Sequence, residues 1–419
     1  MGRSNGTSVP RSVTLPPQPH NSVLMSVPEI ELQAVSSIDT VPAADWDACA
    51  SPLSAGEPAS YNPFVSHRFL AALEESRSAS SRTGWAPRHL IAKRADKIIG
   101  VVPCYLKSHS RGEYVFDRGW AEAYQHAGGS YYPKLQVCVP FTPATGPRLL
   151  ARDDAGDASE IKNLLAQGLQ ALCNTVDASS VHVTFAEKAE WDILASHGYL
   201  KRTDQQFHWQ NRGYDSFDGF LADLNSRHRK AIKRERRDAV ANGITIEHLT
   251  GDTLSEAAFD AFFQFYMETG SRKWGTPYLN REFYSLIHQR MPEDILLVMA
   301  KRNGRWIAGA INFIGSDTLF GRHWGAVEHH PFLHFEVCYY QAIDFAIQRK
   351  LKRVEAGAQG EHKLARGYMP QETYSAHFIP DPNFRKAVAD YLKRERQYVS
   401  QAVDALSEAA PFRKTADED

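Results

Sequence analysis

From residue 62 the apolar positions of this chain recur at helical spacing as far as residue 75, behind an Asn62-Pro63 start. The pattern then turns β-like: two β-rich runs, 89–93 and 98–106, flank Arg94-Ala95-Asp96-Lys97 and predict a hairpin. Residues 135–139 predict a strand, 158–175 a helix, 181–185 a buried strand, 189–197 a short helix and 199–209 another strand. Between Gly213 and Ser216 the pattern lapses, which marks a junction. Beyond it the same grammar returns: a long helix over 216–240, a strand over 244–249 and a helix over 254–269. Strands at 295–301 and 306–314 flank Arg302-Asn303-Gly304-Arg305, whose Asn-Gly is a strong turn signal. A strand over 318–324, a helix over 332–350, a strand over 353–357 and a charged helical tail over 383–406 complete the series.

At 419 residues the chain has room for more than one domain, and the repeated grammar divides it into 29–212 and 213–419. Residues 1–28 carry no Asp or Glu but many Ser and Pro, a composition that cannot bury enough surface to fold, and are expected to be a disordered leader. Forty-eight Lys and Arg against 49 Asp and Glu leave a net charge of −1, which excludes a surface that is cationic throughout but not a local patch. No apolar run approaches the ~18–20 residues of a membrane span. Five scattered cysteines without a Cys-x-x-Cys pair argue for reduced thiols and a cytoplasmic protein.

Three stretches can carry chemistry. Residues 226–237, SRHRKAIKRERR, hold seven basic residues and one acidic one. On a helix, Ile232 and Ala239 turn inward while Arg229, Lys230, Lys233 and Arg234 form a cationic surface suited to phosphates. Residues 320–340 contain His323, His329, His330 and His334. Pro331 opens the helix after His330 and spoils an i,i+4 metal pair with His334, so no metal is expected. A strand end that feeds a helix is instead a ligand-binding corner, with Arg322, His323 and Trp324 as substrate contacts. In EAGAQGEHKLARGYMP (355–370), Gly357 and Gly360 permit close backbone approach, and Glu361, His362, Lys363 and Arg366 bring acid, base and cations together. The aromatic loop 117–146, with Trp120, Tyr124 and His126, is a binding loop or interdomain packing. Walker, Rossmann and Gly-x-Ser-x-Gly signatures are absent.

Helix, helix, antiparallel hairpin, strand, helix, strand is the element order of a GNAT-type acyltransferase, and the first half shows a degenerate version of it. The fold expected is therefore α/β (α+β): tandem GNAT-like domains, each a mixed, mostly antiparallel sheet flanked by helices. Blocks such as PFTPATGPRLL (140–150), FHWQNRGYDSFDGFLADLNSRHRKAIKRERRDA (207–239) and GRHWGAVEHHPFLHFEVCYYQAIDFAI (321–347) resemble the FemAB-like peptidoglycan biosynthesis/recognition proteins, predicted N-acyltransferases. The segment 224–237 is similar to their L-x-x-x-x-R-x-x-I helix at Arg229 and Ile232. Lys363-x-x-x-Gly367 is similar to their K-x-x-[FW]-G turn, with Arg366 in place of the aromatic.

The resemblance implies acyl or aminoacyl transfer from acyl-CoA or aminoacyl-tRNA, as co-substrate rather than resident cofactor, to an amine such as a cell-wall precursor. CoA enzymes of this fold hold pyrophosphate on a glycine-rich corner. Here that corner reads Gly325-Ala-Val-Glu-His-His-Pro-Phe332, without those glycines. In the expected mechanism Glu361 or His323 takes the amine proton and backbone N–H groups near 320–324 stabilise the oxyanion. Arg229, Lys230, Lys233, Arg234, Lys363 and Arg366 hold donor phosphates, while Arg322, Trp324, Trp120, Tyr124 and His126 meet the substrate. The alternative is a non-enzymatic binder of cell-wall precursor or RNA on the same fold.

Overall fold

The computed structural model describes residues 21–27, 30–52, 61–274, 277–357 and 360–413; the side chains of 21–27, 272–274 and Glu361 lie outside the description. The first half contributes ten strands: β1 (Asn21–Val27), β2 (Ile30–Val35), β3 (Trp85–Pro87), β4 (His89–Arg94) and β5 (Lys97–Val102), then β6 (Cys104–Lys107), β7 (Lys134–Val137), β8 (Leu150–Ala151), β9 (Val181–Ala186) and β10 (Leu200–Gln210). The second half adds β11 (Ile244–Leu249), β12 (Ile295–Arg302), β13 (Arg305–Ile314), β14 (Thr318–Ala326), β15 (Arg353–Glu355) and β16 (Met369–Phe378).

Both hairpins read from the sequence form. Asn303 and Gly304 take φ of 50° and 76°, the left-handed pair that a two-residue turn demands, and Arg302 faces Arg305 across it. Arg94 faces Lys97 in the same way, with Ala95 at φ 52°. Asn21–Val27 pairs antiparallel with β2, so this part of the expected leader is a strand. Residues 1–20 lie outside the described residues.

One sheet runs β1-β2-β4-β5-β8; the other runs through both halves in the order β11-β12-β13-β14-β15-β10-β16-β9-β7-β6-β3. β10, the last strand of the first half, lies between β15 and β16 of the second. β16 in turn pairs with β9 of the first half. Each half therefore contributes a strand to the other's sheet. The cores are joined as well: Phe64 packs 5.1 Å from both Phe313 and Phe320, in one apolar cluster that also takes in Trp85, Phe141, Phe262 and Tyr284.

The long helix expected over 216–240 is two helices, Phe217–Asp223 and Ser226–Ala239. Asn225 ends the first turn sequence and caps the second helix, its side chain accepting from the His228 N–H. Asn225 N–H also donates to Pro411 O at the returning tail. The helix expected from residue 332 starts at Leu333, because Phe332 sits in the left-handed region at φ 63°. It widens into a π turn over Glu336–Tyr340 before continuing as Gln341–Gln348. A helix over Arg281–Arg290, the strand β16 and a helix over Arg118–His126 were not read from the pattern.

Candidate functional site

β14 and β15 run parallel for three pairs only, Thr318↔Arg353, Leu319↔Val354 and Phe320↔Glu355. β15 then ends, while β14 continues to Ala326 beside β13 alone, so a wedge opens between the two strands. At the mouth of the wedge the β13–β14 register slips: Ile311 faces His323 and Asn312 faces Gly321, which leaves Arg322 without a partner in β13. Such a bulge re-aims side chains and frees backbone groups. Arg322 consequently reaches toward the first half, while His323 packs on Tyr266 of the second. Arg322 Nη2 donates to Phe141 O, and the His323 ring lies 4.9 Å from that of Tyr266.

Glu355 ends β15 and likewise reaches the first half. Its Oε2 accepts from Thr145 N–H at 3.4 Å and lies 3.9 Å from His208 Nε2; Arg353 Nε is 3.6 Å from Oε1, which has no hydrogen-bond partner. Burial pushes the Glu355 carboxyl up to about 7, against the opposing pull of Arg353. Burial holds His208 down at about 3, so this neighbour is neutral at pH 7. A buried carboxyl that titrates near neutrality, with one oxygen that accepts no hydrogen bond, is suited to accept a proton. His323 is less suited. Desolvation, helped by Arg322, drives its pKa well below the usual imidazole value, and its buried Nδ1 has no partner. The Glu361 side chain lies outside the described residues.

On the opposite face of β14, Trp324 packs 5.2 Å from His334. These two line a pocket of about 650 Å³ together with Thr269, Val327, Phe332 and Phe335. His330 Nε2 lies 2.8 Å from Glu328 Oε2. Helix Ser226–Ala239 packs beside this corner, against the segments 333–340 and 361–366. Ile232 and Ala239 are buried, as the pattern predicts. Lys230, Lys233 and Arg234 are exposed and Arg229 half-exposed. Lys233 reaches Asp218 at 3.3 Å; Arg229, Lys230 and Arg234 have no acidic partner among the described residues.

Two expected phosphate ligands, Lys363 and Arg366, have partners within the fold. Lys363 is buried, and its Nζ donates to Ala356 O at 2.6 Å and Gly357 O at 3.0 Å, so it ties down the loop after Glu355. Burial lowers its pKa to about 8. Arg366 is spent on Glu235 at 2.9 Å and lies 3.5 Å over the Phe335 ring, which occupies both its charge and its face. Trp120, Tyr124 and His126 lie away from this corner, the two aromatics in packing between the two halves. They sit on helix Arg118–His126, where Tyr124 stacks 4.3 Å from Phe384 of helix Pro382–Glu408 and Trp120 packs on His377. That cluster shares no residue with the core beneath Arg322 and His323, and His126 points to solvent. Glu355 was the residue overlooked. Its only sequence signal is a carboxylate inside the short, otherwise apolar run Val354-Glu355-Ala356.

The interleaved sheet, split where β14 and β15 part, is the α/β fold of a tandem GNAT-like protein. The chain belongs to the FemAB-like family: the family model described as peptidoglycan biosynthesis/recognition matches residues 37–414. It is an enzyme of the acyl- and aminoacyl-transferring class. Among solved structures, that of FemX is similar at a TM-score of 0.52 and 12% identity, covering 82% of this chain and 97% of that one. L-PGS from Bacillus licheniformis matches at 0.48 and 9%, covering 80% and 98%. A tandem GNAT protein from the clavulanic acid biosynthesis pathway matches at 0.45 and 13%, covering 84% and 99%. At these identities the likeness bears on the fold, and FemX carries it. No curated protein matches the chain in sequence. No helix of the described residues is long and apolar enough to cross a membrane.

Proposed function

We propose that the enzyme moves an aminoacyl or acyl group from a phosphate-bearing donor onto an amine acceptor, a cell-wall precursor in the reading the family suggests. The observation that carries this is Glu355, a buried carboxyl titrating near 7 where β14 and β15 part. The amine nitrogen attacks the donor carbonyl carbon and the new C–N bond forms. Glu355 takes the amine proton, and the bond from that carbon to the donor's oxygen or sulfur breaks, with the proton passing to the leaving atom. Backbone N–H groups at the Arg322 register slip would stabilise the developing oxyanion.

Of the two donors, aminoacyl-tRNA is favoured over acyl-CoA. The cations of Ser226–Ala239 form an extended exposed face rather than a cup, as a polyanion requires. The corner after β14 instead holds aromatic side chains and Glu328, which pairs with Arg302 at 2.8 Å. Charged tRNA is a cytoplasmic donor, and this reading puts the protein there. The test is transfer of a labelled amino acid from a charged tRNA pool to a cell-wall precursor with a free amine, alongside calorimetric titration with coenzyme A. Labelled product from the tRNA, with no heat from millimolar coenzyme A, supports the reading. Micromolar coenzyme A binding reverses the donor assignment. RNA or precursor binding without turnover, by wild type as well as Glu355→Gln, would favour the non-enzymatic binder.

A further inference from the structure

Arg322 has a guanidinium without a counter-ion. No carboxylate reaches it among the described residues; it donates to the Phe141 carbonyl, and the phenols of Tyr114, Tyr284 and Tyr266 surround it. Desolvation lowers its pKa below the usual guanidinium value. A cation withdrawn from water and left unpaired is expensive, and proteins keep such an arrangement where something else supplies the charge. Arg322 is nevertheless not sealed off: residues 321–324 all keep partial solvent access.

Three further observations fall on the same spot. Tyr284 Oη and His323 Nδ1 are buried without hydrogen-bond partners, two orphaned polar atoms within one side-chain cluster. Tyr114, which brings its phenol to Arg322, is held at φ 60°, a left-handed conformation that strains a tyrosine backbone. Arg322 and Glu355 also reach the same loop of the first half, at Phe141 O and Thr145 N–H. Phe320 is opposite Glu355, so Arg322 lies two residues farther along β14, a separation of about 7 Å along the strand.

We infer that Arg322 receives a carboxylate of the acceptor, so that the acceptor is an amino acid or peptide end whose amine faces Glu355 while its carboxylate pairs with Arg322. The inference rests on the transfer reading for the word acceptor; the carboxylate site itself does not. One guanidinium balances one carboxylate and binds it through two parallel hydrogen bonds. Tyr284 Oη and His323 Nδ1 are the polar atoms left over to complete the site.

The test is thermal unfolding of the full chain at fixed ionic strength with alanine or alaninamide, probes that differ only in the carboxylate. For wild type, alanine at ten times its dissociation constant raises the Tm by about 1–2 °C, and alaninamide does not. Arg322→Gln loses the response and Arg322→Lys keeps part of it, with the ligand-free Tm of each confirming that it folds. Equal shifts from the two probes, no shift from alanine, or an undiminished shift in Arg322→Gln each overturn the inference. The two readings also fail separately. If alanine binds through Arg322 and no transfer is found, the function reading falls and the site stands. If transfer proceeds and Arg322→Gln leaves KM for a carboxylate-bearing acceptor unchanged, the carboxylate site falls alone.

Discussion

Glu355 combines burial, one carboxylate oxygen that accepts no hydrogen bond and a pKa near 7, and each makes its own demand on experiment. As a proton acceptor it must be ionised, so kcat/KM rises with pH and levels off above about 7. Glu355→Gln lowers kcat by about 10²–10⁴-fold, the range for loss of a general base, and flattens that limb of the pH profile. Stability runs the other way. The folded carboxyl titrates at about 7 and the unfolded one at 4.5, so stability is fully present below 4.5 and is lost as pH rises through 7. The loss reaches at most about 3 kcal/mol. Glu355→Gln is therefore expected to unfold about 2–3 °C above wild type at pH 8 and at the same temperature near pH 4, read by calorimetry. The residue escaped notice because its power comes from contacts with Thr145 and His208, 210 and 147 positions away, which no local pattern contains.

At the scale of elements, two segments rich in cations have opposite fates. On Ser226–Ala239, Lys230, Lys233 and Arg234 face water while Arg236 pairs with Glu336 and Asp344; on Glu361–Arg366, Lys363 and Arg366 are consumed inside the fold. Replacing Lys230, Lys233 and Arg234 by Gln should leave Tm within about 1 °C, since exposed positions contribute little. If each contacts a donor phosphate, the slope of log affinity for tRNA against log salt becomes shallower by about 2–3. Lys363→Met should do the reverse. It strands the carbonyls of Ala356 and Gly357 and destabilises by about 1–3 kcal/mol, with the salt slope unchanged. Sequence periodicity revealed that Ile232 and Ala239 turn inward, because helical spacing is local. It could not reveal that Glu235 neutralises Arg366 across 131 positions. The helix break at Asn225 was in principle legible, since Asn is a favoured cap, but continuous helical spacing on either side masked it.

For the molecule as a whole, the strand order is the decisive feature. With β10 between β15 and β16, and β16 against β9, a cut at residue 212 leaves the first half without β16 and the second without β10. Each fragment then exposes strand edges and an unpaired core face. Expressed alone, 29–212 and 213–419 are expected to aggregate or stay unfolded, and to recover a folded complex when co-expressed; the intact chain should melt in one transition. Soluble, cooperatively melting fragments in size-exclusion and calorimetric runs would contradict this. The candidate site depends on the same coupling, because Glu355 and Arg322 of the second half are held by Thr145 and Phe141 of the first.

Sequence alone determined the elements whose causes are local. The Asn303-Gly304 and Arg94–Lys97 hairpins formed because turn chemistry and alternation act over a few residues, and the inward face of the basic helix followed from 3.6-residue spacing. The repeated element order was equally visible. Only the tertiary structure decided which strands interleave, that Lys363 and Arg366 hold the fold together, and that Glu355 rather than His323 titrates near neutrality. The reason is that burial and charge pairing are properties of a packed interior, built by residues far apart in the chain.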